Sequence, residues 1–308
     1  MSDARHVFHG HAAALSGRIV RIGEGKKARF VKDAFIDLPA AALPSAGGRS
    51  TASISRRHLT HPFVRTFVRF KSATASSEGV FDDAKAHYVA TLGQRGRRVP
   101  TARTTVSAEI EGLDVGLKGG VRMRVARVAG GFTAQKDAGG GDTSIQLSRD
   151  TGFGGNSVTF VDADGRSYVL TVGVERDLFR THDTFSRITT AAAKPAFMRR
   201  FAHVLHGAGA LARRGTKAAL RLVKGDDGAV QGTVVKPLKW KGPAFPGATI
   251  DPERTNAVSI PGFGKVFFGE ITLAPQSRRL TMLRLSFGSP IGGDAAAADV
   301  MDNGSVTV

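Results

Sequence analysis

The 308-residue chain contains no cysteine. That excludes disulfide staples, thiolate metal ligands and cysteine nucleophiles. Aromatic residues make up 7%, with two tyrosines and a single tryptophan, Trp240. Such a chain is poor in the stacking platforms on which single-strand nucleic-acid binders rely. No run approaches the roughly 20 apolar residues of a membrane-spanning helix. The opening residues, Met1 to His11, hold no uninterrupted apolar stretch, which argues against a Sec-type signal and makes the cytoplasm the expected location. GxSxG, HExxH and Walker A patterns are absent, so no nucleophile elbow, zincin helix or phosphate loop announces itself. Acidic residues are outnumbered: 26 Asp and Glu face 44 Lys and Arg, leaving a formal charge of +18.

What is present is a globular composition, 41% apolar. A chain of this length buries roughly 75% of its unfolded surface and needs neither staple nor metal to fold. The positive charge is unevenly spread. Between Lys194 and Lys241 lie Arg199, Arg200, Arg213, Arg214, Lys217, Arg221, Lys224, Lys236 and Lys239, opposed only by Asp226 and Asp227. A second cluster runs from Arg49 through Arg56, Arg57, Arg65, Arg69 and Lys71 to Arg95, Arg97 and Arg98. After Asp251 the chain is close to neutral. Concentrated positive charge repels itself and is offset by an anionic partner or counterions.

Period-two patterning with glycine-rich punctuation recurs along the chain. Thr105 to Glu111 and Val121 to Arg127 form the first expected hairpin. Pairing with residue numbers summing to 233 sets Ala108 against Val125, Ile110 against Met123, Glu109 against Arg124 and Glu111 against Arg122. A second hairpin joins Val158–Val161 to Arg166–Val174, with Asp164-Gly165 suited to a two-residue type I′ turn. A third joins Lys265–Leu273 to Arg279–Phe287 around Pro275-Gln276-Ser277. In its second strand Leu283, Leu285 and Phe287 face one way and Met282, Arg284 and Ser286 the other. Further strands are expected at Arg18–Ile22, Ala34–Leu38, Phe63–Phe70 and Ala219–Val235.

One helix is expected, Pro195 to about Ala212. Phe197, Phe201, Leu205 and Ala208 form its apolar stripe, with Arg199, His203, His206 and Arg213 on the other side. Amphipathic helices are missing between the strands, which disfavours a parallel α/β fold. The expected architecture is mainly β: an antiparallel sandwich with one amphipathic helix between two β-rich segments. The segments are 1–192 and 216–308, with the helix at 193–215, and both one shared core and two separate ones are open to them.

Several residue groups carry possible chemistry. His6, His9 and His11 are close enough in sequence to ligate a transition metal, with His182 or Asp183 as a further ligand or an acid/base pair. Glu109 and Glu111 lie on one strand face about 7 Å apart, a separation open to an inverting glycosidase pair. Cross-strand arginines account for them more simply. Asp162 and Asp164 suit a hairpin turn better than a calcium loop. Gly207 to Ala212 matches GxGxxA, but no strand precedes it and no βαβ unit follows.

The most interpretable group is the basic helix with its downstream lysines: Arg199, Arg200, Arg213, Arg214, Lys236, Lys239, Trp240 and Lys241. Arg and Lys neutralise phosphates or sulfates, and an adjacent indole can stack on a base or sugar. The competing structural reading buries Trp240 and leaves the lysines protecting an edge strand. The expectation is therefore a binding or assembly protein without a catalytic centre or cofactor. Its basic surface would engage nucleic acid, an anionic polysaccharide or an acidic protein surface. A metal-dependent hydrolase on His6, His9 and His11, or a structural subunit of a larger assembly, is the alternative.

Overall fold

The computed structural model describes residues 7–21, 31–60, 66–82, 101–117, 119–136, 142–192, 194, 196–197, 229–252, 254–287 and 291–302. The strands are β1 (Gly10–Arg21), β2 (Val31–Ala42), β3 (Gly48–Thr60), β4 (Thr66–Phe81), β5 (Ala102–Leu117), β6 (Arg122–Lys136), β7 (Ser144–Leu147), β8 (Gly152–Phe153), β9 (Ser157–Val161) and β10 (Ser167–Thr171). Two short helices follow, α1 (Asp177–Thr181) and α2 (Phe185–Ala192). The chain then forms β11 (Val230–Thr233), β12 (Lys239–Lys241), β13 (Thr249–Ile250), β14 (Ala257–Ile260), β15 (Gly264–Leu273), β16 (Arg278–Phe287) and β17 (Ile291–Asp302).

The strands form two antiparallel sheets, as the expected sandwich requires. The eight-stranded sheet runs β13-β14-β15-β16-β17-β1-β2, with β11 also on β15. The nine-stranded sheet runs β12-β10-β9-β6-β5-β4-β3, with β7 and β8 also on β6. The first strand therefore pairs with the last, and one contiguous apolar core draws on residues from Ala12 to Val300.

The long strands are each interrupted at a common level. In the nine-stranded sheet, pairing breaks between Ser55 and Arg57, Arg69 and Ser72, Glu111 and Leu113, and Val125 and Arg127. Buried positions step by three there, from Phe70 to Ala73, Ile110 to Leu113 and Val125 to Val128, before alternation resumes. The facing sheet breaks likewise between Ala13 and Leu15, Ala297 and Asp299, Thr281 and Leu283, and Phe268 and Glu270. Left-handed backbone marks the creases of β5, β15 and β17: Gly112 at φ 62°, Gly269 at φ 58° and the buried Ala298 at φ 52°. Such breaks bend a strand and raise its twist, which keeps strands of this length in contact across the sandwich.

The two sheets meet near the creases. A Cβ on Gly130 would stand 2.7 Å from the Ala298 carbonyl oxygen and from Met282 Cγ. The Phe268 carbonyl, beside the break at Gly269, accepts from the Thr233 hydroxyl at 3.1 Å and from Asn256 Nδ2 at 2.8 Å. Both donors are buried, so the crease leaves no orphan acceptor there. Ala12, Ala14, Ala73, Ala75 and Ala108 fill one part of the core, where small side chains allow close approach. Phe153, Phe160, Phe263, Phe268 and Phe287 fill another, in edge-to-face contacts at 5.6–6.2 Å.

On one side the sheets are stitched together. The segment after β10 meets the segment after β11, with Glu175 N–H donating to Val234 O at 2.7 Å and Lys236 N–H to Gly173 O at 2.8 Å.

Three sequence expectations change. The β5–β6 register sums to 238, not 233, so Glu111 faces Arg127 and Asp114 faces Arg124. Leu113, Val115 and Leu117 continue the strand through Gly112 and Gly116 up to a tight turn, in which Leu117 N–H donates to Val121 O at 3.1 Å. A turn that tight fixes the register and leaves no slack for the other pairing. The β9–β10 turn has left-handed backbone at Gly165 (φ 84°) but not at Asp164. It is a three-residue loop in which Gly165 N–H donates to Asp162 O and Asp162 N–H to Arg166 O. In β16, Met282 is as buried as Leu283, because the crease interrupts alternation between them.

Of the helix expected from Pro195, only Ala196 and Phe197 are described, with Phe197 buried, and the remainder lies outside the described residues. The helices α1 and α2 were not anticipated, being too short for a clear stripe.

Candidate functional site

The lysines at Lys239 and Lys241 lie on β12, an edge strand of the nine-stranded sheet. Pairing sets Lys241 beside Val169, Trp240 beside Leu170 and Lys239 beside Thr171. Leu170 is fully buried, so Trp240 turns inward with it and its ring packs 6.0 Å from Phe160. Period two then sends Lys239 and Lys241 to the outer face, where both are exposed. Lys236, also exposed, runs its stem past Gly173 on the adjoining segment.

Following Lys241 across the sheet gives one continuous level: Val169, Thr159, Arg124, Asp114 and Arg69. Neighbouring strands are about 4.8 Å apart, so Lys241 and Arg69 mark the ends of a row about 24 Å long. Arg122 stands one outward position from Arg124 on β6, and its stem crosses Gly116. Arg124 lies 3.5 Å from Asp114, and Arg69 rests over the Phe67 ring at 4.8 Å. No carboxylate of the described residues lies within ion-pair distance of Lys236, Lys239, Lys241 or Arg122. At this level the outer face of the sheet carries Lys241, Arg124 and Arg69, with Val169 and Thr159 between Lys241 and Arg124 and Asp114 between the two arginines.

Arg122 and Arg124 were not among the candidates read from sequence, and Arg69 entered only as a member of the second basic cluster. Arg122 and Arg124 have the i, i+2 spacing of one strand face. Only the strand order brings β12 to the same face.

The other candidates are placed as follows. Arg199, Arg200, Arg213, Arg214 and the GxGxxA run lie outside the described residues, as does His6. His9 is exposed and His11 half-buried, flanking the inward-facing Gly10. Among the described residues no three His, Asp or Glu side chains gather to hold a metal ion.

Glu109 accepts a bidentate pair from Arg127, at 2.6 and 2.8 Å, and Glu111 accepts from the Ser72 hydroxyl at 3.1 Å. Salt bridging thus explains Glu109, with Arg127 rather than Arg124 as partner. Asp162 accepts from the Arg166 backbone N–H at 2.8 Å and from the Tyr168 hydroxyl at 3.1 Å, a hairpin role.

His182 and Asp183 do not act on one another through a hydrogen bond between their side chains. His182 Nδ1 lies 2.8 Å from the Thr181 hydroxyl, and Asp183 pairs with Arg187. Burial holds the His182 pKa below its ordinary value, with the Arg187 and Lys194 charges acting in the same sense.

The chain matches no protein family, curated protein or solved structure. Its chemistry is therefore read from its own side chains. No helix among the described residues is long and apolar enough to cross a membrane.

Proposed function

We propose that the protein is a binding protein for a linear polyanion, engaging it through the outer face of the nine-stranded sheet around β12. The observation that carries this reading is a contrast in charge pairing. All four cations of the β15–β16 hairpin are ion-paired, whereas Lys236, Lys239 and Lys241 have no carboxylate partner among the described residues.

Unpaired cations on a sheet face neutralise phosphate or sulfate groups by releasing condensed counterions. The row supplies shape and charge with little readout of base edges. Trp240, turned inward, contributes packing beneath the site rather than a stacking platform. Arg199, Arg200, Arg213 and Arg214 extend the same basic stretch along the chain.

The test is a titration with duplex DNA, single-stranded RNA and heparin at several salt concentrations, followed by anisotropy of labelled ligand. Saturable binding whose log affinity falls linearly with log salt supports the proposal. For duplex DNA the slope counts contacts at about 0.9 per phosphate. No binding to any of the three at low salt sinks it.

A role as a subunit of a larger assembly is the second reading, favoured by the outer edge of β3, which pairs with no other strand among the described residues.

A further inference from the structure

The sheet edges of this molecule are treated unequally. Strand edges expose unpaired N–H and C=O groups, and proteins blunt them with brevity, lysine, proline or a cover. The edge strand β12 has three residues and two lysines, and β13 has two residues. The edge strand β2 carries Pro39, which has no N–H to offer, at its crease. The outer side of β7 is covered by the α1–α2 connection, with Ile145 N–H donating to Asp183 O at 2.7 Å.

Among the described residues strand β3 has none of these devices. It runs 13 residues, pairs only with β4, and between Gly48 and Ser55 carries a single charge, Arg49. Among the described residues nothing pairs with its outer edge.

We propose that the outer edge of β3 is an interface between two copies of this chain, joined antiparallel about a two-fold axis at Ala52. In antiparallel pairing the hydrogen-bonding direction alternates, so residues of like parity must stand opposite each other. The crease at Arg56 limits regular strand to the stretch up to Ser55. Centring on Ala52 pairs the whole of Arg49–Ser55 with itself. Ala52 then meets its own copy, Ser50 meets Ile54, Thr51 meets Ser53 and Arg49 meets Ser55.

Inward residues meet inward ones, outward residues meet outward ones, and no two arginines oppose. A shift of the centre to Ser53 would set Arg49 against Arg57, and like charges directly opposite are destabilising. Apart from Arg49 and Ile54 the side chains brought together are small, and Ile54 already packs on the core. A two-fold axis normal to the sheet leaves both outer faces on one side. The occupant is a second copy because the segment is complementary to itself.

Each chain carries +18, so two copies repel and added salt strengthens their association by screening. Polyanion binding has the opposite salt dependence. Failure of one proposal is thus separable from failure of the other.

Sedimentation velocity over a dilution series at low and high salt is the test. The wild-type chain should form a dimer that is favoured by salt and dissociates on dilution. T51K/S53K changes exposed positions and sets lysine against lysine across the axis, so it should be monomeric. T51K/S53E sets lysine against glutamate and should restore the dimer.

Because the chain lacks cysteine, a single Ala52→Cys variant reports the register. Opposed Cα atoms are about 4.5–5.5 Å apart, within disulfide reach. Mild oxidation should cross-link Ala52→Cys but not Ala163→Cys, at the exposed β9–β10 turn. A monomeric wild type throughout, a T51K/S53K dimer equal to wild type, or equal cross-linking of both cysteine variants would overturn the proposal.

Discussion

The β15–β16 hairpin and the β12 edge are both basic, yet they handle positive charge in opposite ways. On the hairpin, Arg279 makes two hydrogen bonds to Asp299 at 3.0 and 2.7 Å, and Arg284 holds Glu270 while stacking 3.7 Å above the Phe267 ring. Lys265 reaches Asp251 at 2.7 Å, and Arg278 is buried against Asp302. Their carboxylates come from neighbouring strands and, in Asp251, from a loop. At β12 the neighbours are Val169, Leu170 and Thr171, and among the described residues no carboxylate pairs with the lysines. Charge that is paired serves the fold, whereas charge left unpaired raises the potential of a surface and is open to a partner.

The largest expected effect breaks the paired side at its most buried point. The side chains of Arg278 and Asp302 are 3% and 4% exposed, and burial pulls the Arg278 pKa below its ordinary value. Asp302→Ala removes the ion partner of a buried guanidinium, leaving it the Pro275 carbonyl at 3.0 Å, and should cost about 3 kcal/mol, read as a lower denaturant midpoint at unchanged slope. The double variant R278M/D302A should lose less than D302A alone, since an apolar replacement removes both desolvation penalties. A double variant as unstable as the single one would show that the pair itself stabilises the fold.

Next is Asp299→Ala, which strips Arg279 and the buried Thr281 of their shared acceptor. A loss of about 1–2 kcal/mol is expected in chemical denaturation, because the arginine is half exposed and rehydrates.

On the unpaired side, K239E/K241E should shift stability by no more than about 0.5 kcal/mol. It should nevertheless weaken duplex DNA binding about tenfold or more and flatten its log–log salt slope by about two, one per phosphate contact. An unchanged slope would mean that β12 is not the contact surface.

The smallest effect concerns His182. Its pKa in the folded chain is lowered below the unfolded value of 6.5 by burial. The unfolded chain therefore binds the proton more readily, and stability should fall as pH drops from about 6.5 through the lower folded value. His182→Gln should flatten that slope in a pH series of melting temperatures.

Much of the fold was legible because alternation is a local signal. The pairings of β5 with β6, β9 with β10 and β15 with β16 follow from apolar periodicity and turn residues a few positions apart. Their registers were less legible. Gly112 and Gly116 read as loop in isolation, yet Gly112 is a strand position where the crease needs left-handed backbone. The candidate site was half visible: Lys236, Lys239 and Lys241 stand together in the chain. Their level with Arg124 and Arg69 depends on an order of strands that no short window contains.

By itself the sequence determined the mainly antiparallel class, the absence of thiol chemistry and a strong excess of positive charge. These depend on composition and on periods of two residues, which each segment carries alone. Tertiary structure decided which cations are paired. An arginine on one strand is neutralised only if register and strand order bring a carboxylate opposite it. Those in turn depend on turn closure, on glycines with left-handed backbone and on the close approach of two sheets at Gly130 and Ala298.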